Sequence, residues 1–478
     1  MKYYFSFFIL LLLSYQCFAL DLGSFIDTTL KIHPKNEIYP IQLDLKDQNI
    51  IKSQSFTDWS LSQTTSVAHA KPAQSSSFTP NKTETNTVST QIGKSIWNTG
   101  GTVSFFNSLS QLNQDSRSLI SNGQSIKLGN NNFFENQFGI SATYPLINNK
   151  NGELSKYNYS LTKLSKKSLE AQLLQDKERF VLGKIDIYLN WVLISKLEQL
   201  TLKRYKVAKK SLNLLEKKFK ANLIDKVDIL KQEDYIQNIK QELLKIEATK
   251  QSIKKEISLN TNLPLSDIIA PKFKLSEPLE IYTNTSFSET LDNTIFSTTH
   301  TSYELEELYY ENSKKPKLDI DVSYALVGAD SDFTDSFSLD KYSAYIGITY
   351  SRTLHNRSNQ ADIESTKLKM KELNALYETD KLRFNVEKEK LLVELNSFKN
   401  IVTVNKNQIK LALQTAKEEQ KLYDIGKGNL SFVLQAQENV HQSEIRLLRT
   451  LLEVHTLTFK YLALTDQILS YFDQENLN

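Results

Sequence analysis

Apolar positions in this chain follow two different periods, and the change from one to the other happens twice. From Leu154 to Phe219 there is no proline and only one glycine, Gly183. Within that stretch Ile187, Trp191, Ile194, Thr201, Tyr205, Ala208, Leu212, Leu215 and Phe219 keep an alternating three-and-four spacing, broken only at Glu198. Such a narrow stripe is a coiled-coil seam, not the broad apolar face of a globular helix. After a reversal, Ile236, Ile239, Leu243, Ile246, Ile253 and Ile257 continue the spacing, with Lys250 as the one polar member. The pattern predicts a helical hairpin over 148–263 with its tip near 220–229. Its first helix, of about 65 residues, is on the order of 100 Å long.

The same hairpin recurs. Phe219 to Glu233, FKANLIDKVDILKQE, lies without a gap on Tyr423 to Gln437, YDIGKGNLSFVLQAQ, at an offset of 204 residues. In the second segment Gly426 and Gly428 end one helix and Asn429 can cap the next. In the first, Asn222, which tolerates the left-handed conformation, stands at the place of Gly426, Asp225 at that of Asn429 and Leu230 at that of Leu434. The seam keeps its phase as well: Ile187, Trp191, Ile194, Tyr205 and Ala208 correspond to Leu391, Leu395, Phe398, Ile409 and Ala412, and Leu243 and Ile253 to Leu447 and Leu457. A second hairpin is therefore expected over 355–468, with its tip near 423–432.

Before each hairpin the period drops to two. Thr87 to Ile92, Gly101 to Phe106 and Gln137 to Tyr144 alternate, and so do Pro316 to Tyr324 and Tyr342 to Tyr350. Residues 58–147 thus read as a first strand pair with long polar loops at Ala70 to Glu84 and Ser108 to Asn132. Residues 316–354 read as a second pair around the acidic loop Asp330 to Asp340. Phe138-Gly139-Ile140 matches Ile346-Gly347-Ile348 at an offset of 208, which leaves about one extra helical turn in one half. The remaining parts are an N-terminal helix in 20–57 interrupted at Pro34 and Pro40, a linker over 264–286 with Pro271 and Pro278, a short helix over 287–315 and a tail at 469–478.

Residues 1–19 carry Lys2, an apolar run from Phe5 to Leu13 and Cys17-Phe18-Ala19, the layout of a secretory signal peptide. The run is about half of the roughly 20 residues a spanning helix needs. Gln16 is bulky where a lipid-anchor signal wants a small residue, so lipidation at Cys17 is disfavoured. Cleavage removes the only cysteine, and an exported chain without disulfides relies on packing or oligomerisation. No stretch reaches 18 consecutive apolar residues, so any membrane crossing must use strands. The formal charge of +3 is near balance, with Lys and Glu alternating on helix faces, which argues against a nucleic-acid partner. Enzyme readings find little footing. The six histidines are scattered with no His-x-x-x-His pair, and Gly426-Lys427-Gly428 lacks the other residues of a phosphate loop. No metal, cofactor or catalytic residue is expected.

The duplicated unit of strand, strand, long helix, reversal and long helix resembles the TolC family of outer-membrane efflux proteins over nearly all of the chain. The resemblance rests on the junctions Tyr144-Pro145-Leu146 and Arg352-Thr353-Leu354, on the tip Tyr423-Asp424-Ile425-Gly426 with Phe432 to Gln437, and on Leu30 to Pro34. It implies a mainly α fold with a membrane β-barrel part, built as a homotrimer with a 12-stranded barrel to which each chain gives four strands. It also implies a periplasmic helical tunnel whose tips dock on an adaptor, the membrane fusion protein, linked to an inner-membrane transporter. The chain would then be the exit duct of a tripartite efflux or type I secretion system, set in outer-membrane lipid. The sequence departs from the family's best-known gate. Where those members carry aspartates, this chain has Phe432 and Gln435, and Gly428 replaces an arginine, while the first repeat keeps an acid at Asp228. The expected tip and gate residues are Asn222, Asp225, Asp228, Tyr423, Gly426, Gly428, Phe432 and Gln435. Asp228 is either a ring carboxylate or a solvated tip residue, and Phe432 either lines the ring or packs. A periplasmic coiled-coil adaptor without a barrel is the competing architecture; it should lack paired strands before each helix.

Overall fold

The computed structural model describes residues 20–73, 79–115, 118–121, 123–127, 132–275 and 285–475. The expected signal peptide with Cys17, and Pro278 of the linker, lie outside the described residues. The chain divides into two units, one of residues 42–170 and 295–376, the other of residues 1–41, 171–294 and 377–478.

The first unit is built on an antiparallel sheet of six strands: β1 (Ser60–Ala70), β2 (Lys82–Ile96), β3 (Gly101–Asp115), β6 (Asn132–Pro145), β7 (Lys317–Asp330) and β8 (Lys341–Ser351), in the order β1-β2-β3-β6-β7-β8. A two-stranded ribbon, β4 (Ser118–Ser121) and β5 (Gln124–Lys127), lies between β3 and β6 in the chain. The sequence pattern leads to one strand pair in 58–147; four strands of the main sheet are there instead. Ser108 to Asp115, expected as loop, continues β3, and Lys82 to Glu84 opens β2. The reason is chemical. Thr87 to Ile92 marks part of β2, but on β1 small and polar residues fill one face and Gln63, Thr65 and His69 interrupt Leu61 and Val67 on the other, so β1 lacks the apolar alternation that marks a strand in sequence. The four strands per chain implied by the family resemblance are replaced by six in this sheet.

Gly139 is held by close packing within it. A Cβ there would lie 2.6 Å from the Tyr324 carbonyl oxygen and 2.7 Å from the Phe106 ring, so the ring covers the space that a side chain would fill.

The second unit is helical. It holds α1 (Leu22–Ile32), α4 (Lys226–Thr261), α7 (Leu430–Leu464) and α8 (Ile468–Glu475), together with the tip-proximal parts of two helices of 68 residues each, α3 (Glu153–Lys220) and α6 (Arg357–Asp424). Of the two expected interruptions near the N-terminus, only Pro34 separates helices, since Pro40 lies inside α2 (Pro34–Ser53). The main core joins Phe25 and Ile26 of α1, Tyr188 and Trp191 of α3, Ile257 of α4, Phe459 of α7, and Ile468 and Phe472 of α8. Of the expected tail 469–478, the described residues 469–475 belong to α8, whose Ile468 and Phe472 stand four residues apart on one face. The linker is also pinned: Leu20 pairs with Pro271, and Ile268 is fully buried.

Along the predicted seam Trp191, Thr201, Ala208, Leu215, Ile236, Ile239 and Ile257 are buried. Its two charged members, Glu198 and Lys250, meet each other, with Nζ 2.7 and 2.8 Å from the two carboxylate oxygens. Each ion at the seam thus neutralises the other's desolvation cost.

Candidate functional site

Both helix reversals close with the same backbone device. At the first, Asn222 takes φ 53°, its amide donates to the Phe219 carbonyl at 2.9 Å, and the Leu223 amide donates to Lys218 at 2.9 Å. At the second, Gly426 takes φ 74°, its amide donates to Tyr423 at 3.1 Å, and the Lys427 amide donates to Leu422 at 2.9 Å. These paired bonds satisfy the last carbonyls of α3 and α6, and each needs a left-handed residue at the turn. Gly428 has a different requirement. A Cβ there would lie 2.7 Å from the Tyr423 amide nitrogen, so the chain passes too close to the helix end for any side chain.

The two helix starts are not alike. Asn429 accepts from the Ser431 amide at 2.8 Å, whereas Asp225, at the corresponding cap of α4, makes no side-chain cap bond. Asp228, one turn on, instead accepts from the Tyr423 hydroxyl at 3.3 Å, a contact between residues 195 apart in the chain. Burial, reinforced by the Asp228 carboxylate, pushes the Tyr423 hydroxyl pKa up to about 12, so it stays a donor at neutral pH. Lys218 lies 5.1 Å from the Tyr423 ring centre and 3.1 Å from the Asp424 carboxylate. Leu215, Leu430 and Val433 form a small core beneath these contacts, with Ile224, Tyr423 and Leu434 against it.

Of the expected tip residues, the fold brings Asp228 and Tyr423 into direct contact. Asn222 and Gly426 set the turns, and Asp225 stands exposed at its cap. Phe432 is 63% exposed, an unusual condition for a phenylalanine on a helix, and Gln435 donates along its own helix to Asn439 at 3.2 Å.

A second cluster lies further from the tip, and no sequence signal pointed to it. Arg204 on α3 donates to Glu242 on α4 at 2.8 Å, to Glu438 on α7, and through Nε to the Tyr235 hydroxyl at 3.0 Å. His441, 3% exposed, approaches the other Glu242 oxygen at 3.3 Å. The hydrogen bond to His441, helped by the charge of Arg204, holds the Glu242 carboxyl below the usual carboxylate range. Arg204, Tyr235, Glu242, Gln435 and Glu438 border an open cleft of about 550 Å³. One guanidinium fork thereby ties three helices together.

The sheet has two chemically distinct faces. One row crosses all six strands through Leu61, Ile92, Phe105, Ile140, Tyr324 and Ala344. The first five of these side chains are between 40% and 70% exposed. The neighbouring rows on β6, β7 and β8 continue this face with Phe138, Leu326 and Tyr342, and with Ala142, Val322 and Ile346. The opposite face carries a belt of polar side chains. Gln91 donates to Ser104 at 3.0 Å, Ser104 bonds Ser141 at 2.8 Å, and Thr143 and Thr349 each donate to Asp321 at 2.8 Å. The sheet thus sets an exposed apolar side against a hydrogen-bonded polar one.

Among the described residues there is no cluster suited to a metal ion. No helix among them is long and apolar enough to cross a membrane.

The long helical hairpins and the six-stranded antiparallel sheet together match the folds of solved outer-membrane proteins. The outer membrane protein VceC from Vibrio cholerae is similar to this chain with a TM-score of 0.65 and 12% identity, over 93% of this chain and 96% of that one. CusC, described for the conformational changes that accompany folding and transmembrane channel formation, is similar with a TM-score of 0.66 and 11% identity, over 93% and 91%. The CmeC outer membrane channel of Campylobacter jejuni is similar with a TM-score of 0.63 and 14% identity, over 93% and 85%. At these identities the likeness is one of fold. No family model matches the sequence, and no curated protein matches it.

Proposed function

We propose that this protein is an outer-membrane exit duct, a homotrimer whose sheets join into a barrel in lipid and whose helices line a periplasmic passage. It passes substrates delivered by an inner-membrane transporter and a periplasmic adaptor, as in tripartite efflux or type I secretion, and it does no chemistry on them. The observation that carries this reading is the exposed apolar row across six strands backed by the polar belt. A sheet of that kind left open in lipid would strand its edge amides and carbonyls at several kcal/mol each, so it must close with other copies.

The helices support the same reading. Leu382, Val386, Val393, Val404 and Leu411 of α6 are each at least 59% exposed, and at spacings of four, seven and eleven they fall on one stripe. A stripe of that extent in water wants a neighbouring helix. The competing adaptor reading has no use for a six-stranded sheet with an oily face.

At the tip, the Tyr423 to Asp228 bond joins the end of the second hairpin's first helix to the start of the first hairpin's second helix, and we assign it the part of a latch. Three copies would bring Asp228 and Phe432 around a common constriction, less cation-selective than an all-acidic ring. Planar-bilayer recording of the purified protein tests the whole reading, with Asp228→Asn as the variant. The reading expects discrete conductance from an outer-membrane trimer, and weaker cation selectivity and divalent block in the variant. A protein that stays monomeric and soluble once membranes are removed would defeat the duct; unchanged selectivity in the variant would defeat the ring alone.

A further inference from the structure

The six-stranded sheet points to an assembly larger than the 12-stranded barrel that the sequence resemblance implies. We propose that β8 of one copy pairs antiparallel with β1 of the next, so that three copies close a barrel of 18 strands, with the β1–β2 hairpin as part of its wall. The copy number rests on the trimer of the proposed function. The seam between copies rests on the strands themselves.

Four observations carry it. First, the β1–β2 hairpin is fully laddered into the sheet: β1 pairs with β2 over eleven residues, and β2 with β3 over fifteen. Second, the apolar row continues through Ile92 onto Leu61, which is 70% exposed, and Val67, Val88 and Ile96 stand on the same face of the hairpin, spaced among polar residues. Third, the polar belt reaches the hairpin on the other face through Gln91 and Ser104. A hairpin folded away from the wall would have no reason to match the sheet on both faces.

Fourth, the two edges suit one another. β1 and β8 are eleven residues each, free of proline, and exposed along nearly their whole length on both faces. Eleven residues is the length of a tilted strand that crosses a bilayer. Soluble proteins shield edges of this kind with proline, bulges or charge; here β8 carries one terminal lysine and β1 only His69 near its end. Because successive strands are antiparallel and six is even, the outer two run in opposite directions. Head-to-tail joining of copies therefore makes another antiparallel pair and leaves no edge.

At a strand spacing of about 4.8 Å and a tilt of about 40°, 18 strands enclose a ring about 36 Å across between backbones, against about 24 Å for 12 strands. The wall thus has the calibre of a water-filled porin.

The test is disulfide trapping in native membranes. Cys17 is the only cysteine and is changed to serine, so engineered pairs report alone. Ala344→Cys on β8 is combined in turn with Leu61→Cys, Gln63→Cys or Thr65→Cys on β1, and separately with Phe105→Cys, Asn107→Cys or Leu109→Cys on β3. Oxidation is expected to give, for at least one β8–β1 pair, a ladder that ends at three chains, and none for the β8–β3 pairs. Cross-links from β8 to β3 would mean a 12-stranded wall with the hairpin outside it and overturn the proposal. A β8–β1 ladder that ends at two chains would overturn it in favour of 12 strands from two copies. The mass of the unmutated protein in detergent separates the two levels of failure. A trimer without β8–β1 cross-links sinks the 18-stranded wall and leaves the duct standing, whereas a monomer sinks both. A strand count by electron microscopy of the unmutated protein checks the result without any substitution.

Discussion

Replacing Arg204 by methionine tests whether its cluster clamps three helices near the tip. The side chain is 13% exposed and its carboxylate partners, Glu242 and Glu438, are 35% and 30% exposed. Removing one member of a buried ion pair costs about 3–5 kcal/mol because the charge left behind is stranded. Here two charges are left, but each is about one-third open to water and regains part of its hydration. The expected loss is therefore about 2–3 kcal/mol, with methionine keeping the stem's packing against Tyr235. Arg204→Lys keeps the charge but cannot hold two carboxylates and a hydroxyl at once, and should lose about half as much.

Hydrogen exchange resolved by segment is the assay, because the loss is local. Amides around 200–210, 235–245 and 434–445 should exchange about 30-fold faster or more in Arg204→Met, while those around β6 and β7 stay unchanged. The triple variant Arg204→Met, Glu242→Gln, Glu438→Gln removes the stranded charges and should recover much of the protection. If Arg204→Met leaves all three segments as they were, or if the triple variant is worse than the single, the clamp is refuted. Acid weakens the same cluster. The Glu242 carboxyl is held below its unfolded value, so its contribution is complete above about pH 4.3 and is lost as pH falls through the lowered value.

Three other outcomes follow from the contacts described. Tyr423→Phe removes a half-exposed hydrogen bond worth about 1 kcal/mol, so the open fraction in single-channel records should rise about fivefold, and unchanged records would remove the latch. Glu178 is 4% exposed on α3, with one oxygen unpaired and the other 3.5 Å from the Leu469 amide; burial and the nearby Asp466 raise its pKa to about 8. The folded state thus binds its proton more tightly than the unfolded one, and this contribution is present in acid and fades as pH rises from about 4 to 8. Glu178→Gln should melt with the parent at pH 5 and above it at pH 8, and a constant gap would refute the buried acid. At the second reversal, Gly428→Ala should destabilise the tip because its Cβ meets the Tyr423 amide, whereas Gly426→Asn should cost about 1 kcal/mol or less, since Asn222 already holds that backbone angle; protease cutting at the tip compares the two.

Much of the helical architecture could be read from local spacing. The seam residues Trp191, Ala208, Leu215, Ile236 and Ile239 are buried, and Glu198 and Lys250, the two members that break its pattern, are the two that pair. The turn at Gly426 and the cap at Asn429 were equally legible, because both requirements belong to residues within one turn of chain. The strands of 58–147 were legible only in part. Those with one strongly apolar face announce themselves, as β6 does through Phe138, Ile140 and Tyr144, but β1 has only Leu61 and Val67 on that face, parted by Gln63 and Thr65, and gives no clear period. A strand at the edge of its own chain's sheet, with few side chains to bury, is under little pressure to alternate.

What the sequence determined by itself is the set of elements whose causes are local: helix length, seam phase, turn conformation and the apolar side of the later strands. The tertiary structure alone decided the rest. It placed β7 beside β6 although about 170 residues separate them, set Tyr423 against Asp228 and Arg204 between Glu242 and Glu438, and extended the sheet to six strands. Those pairings depend on which surfaces meet across long chain distances, and periodicity records that a surface exists without recording its partner.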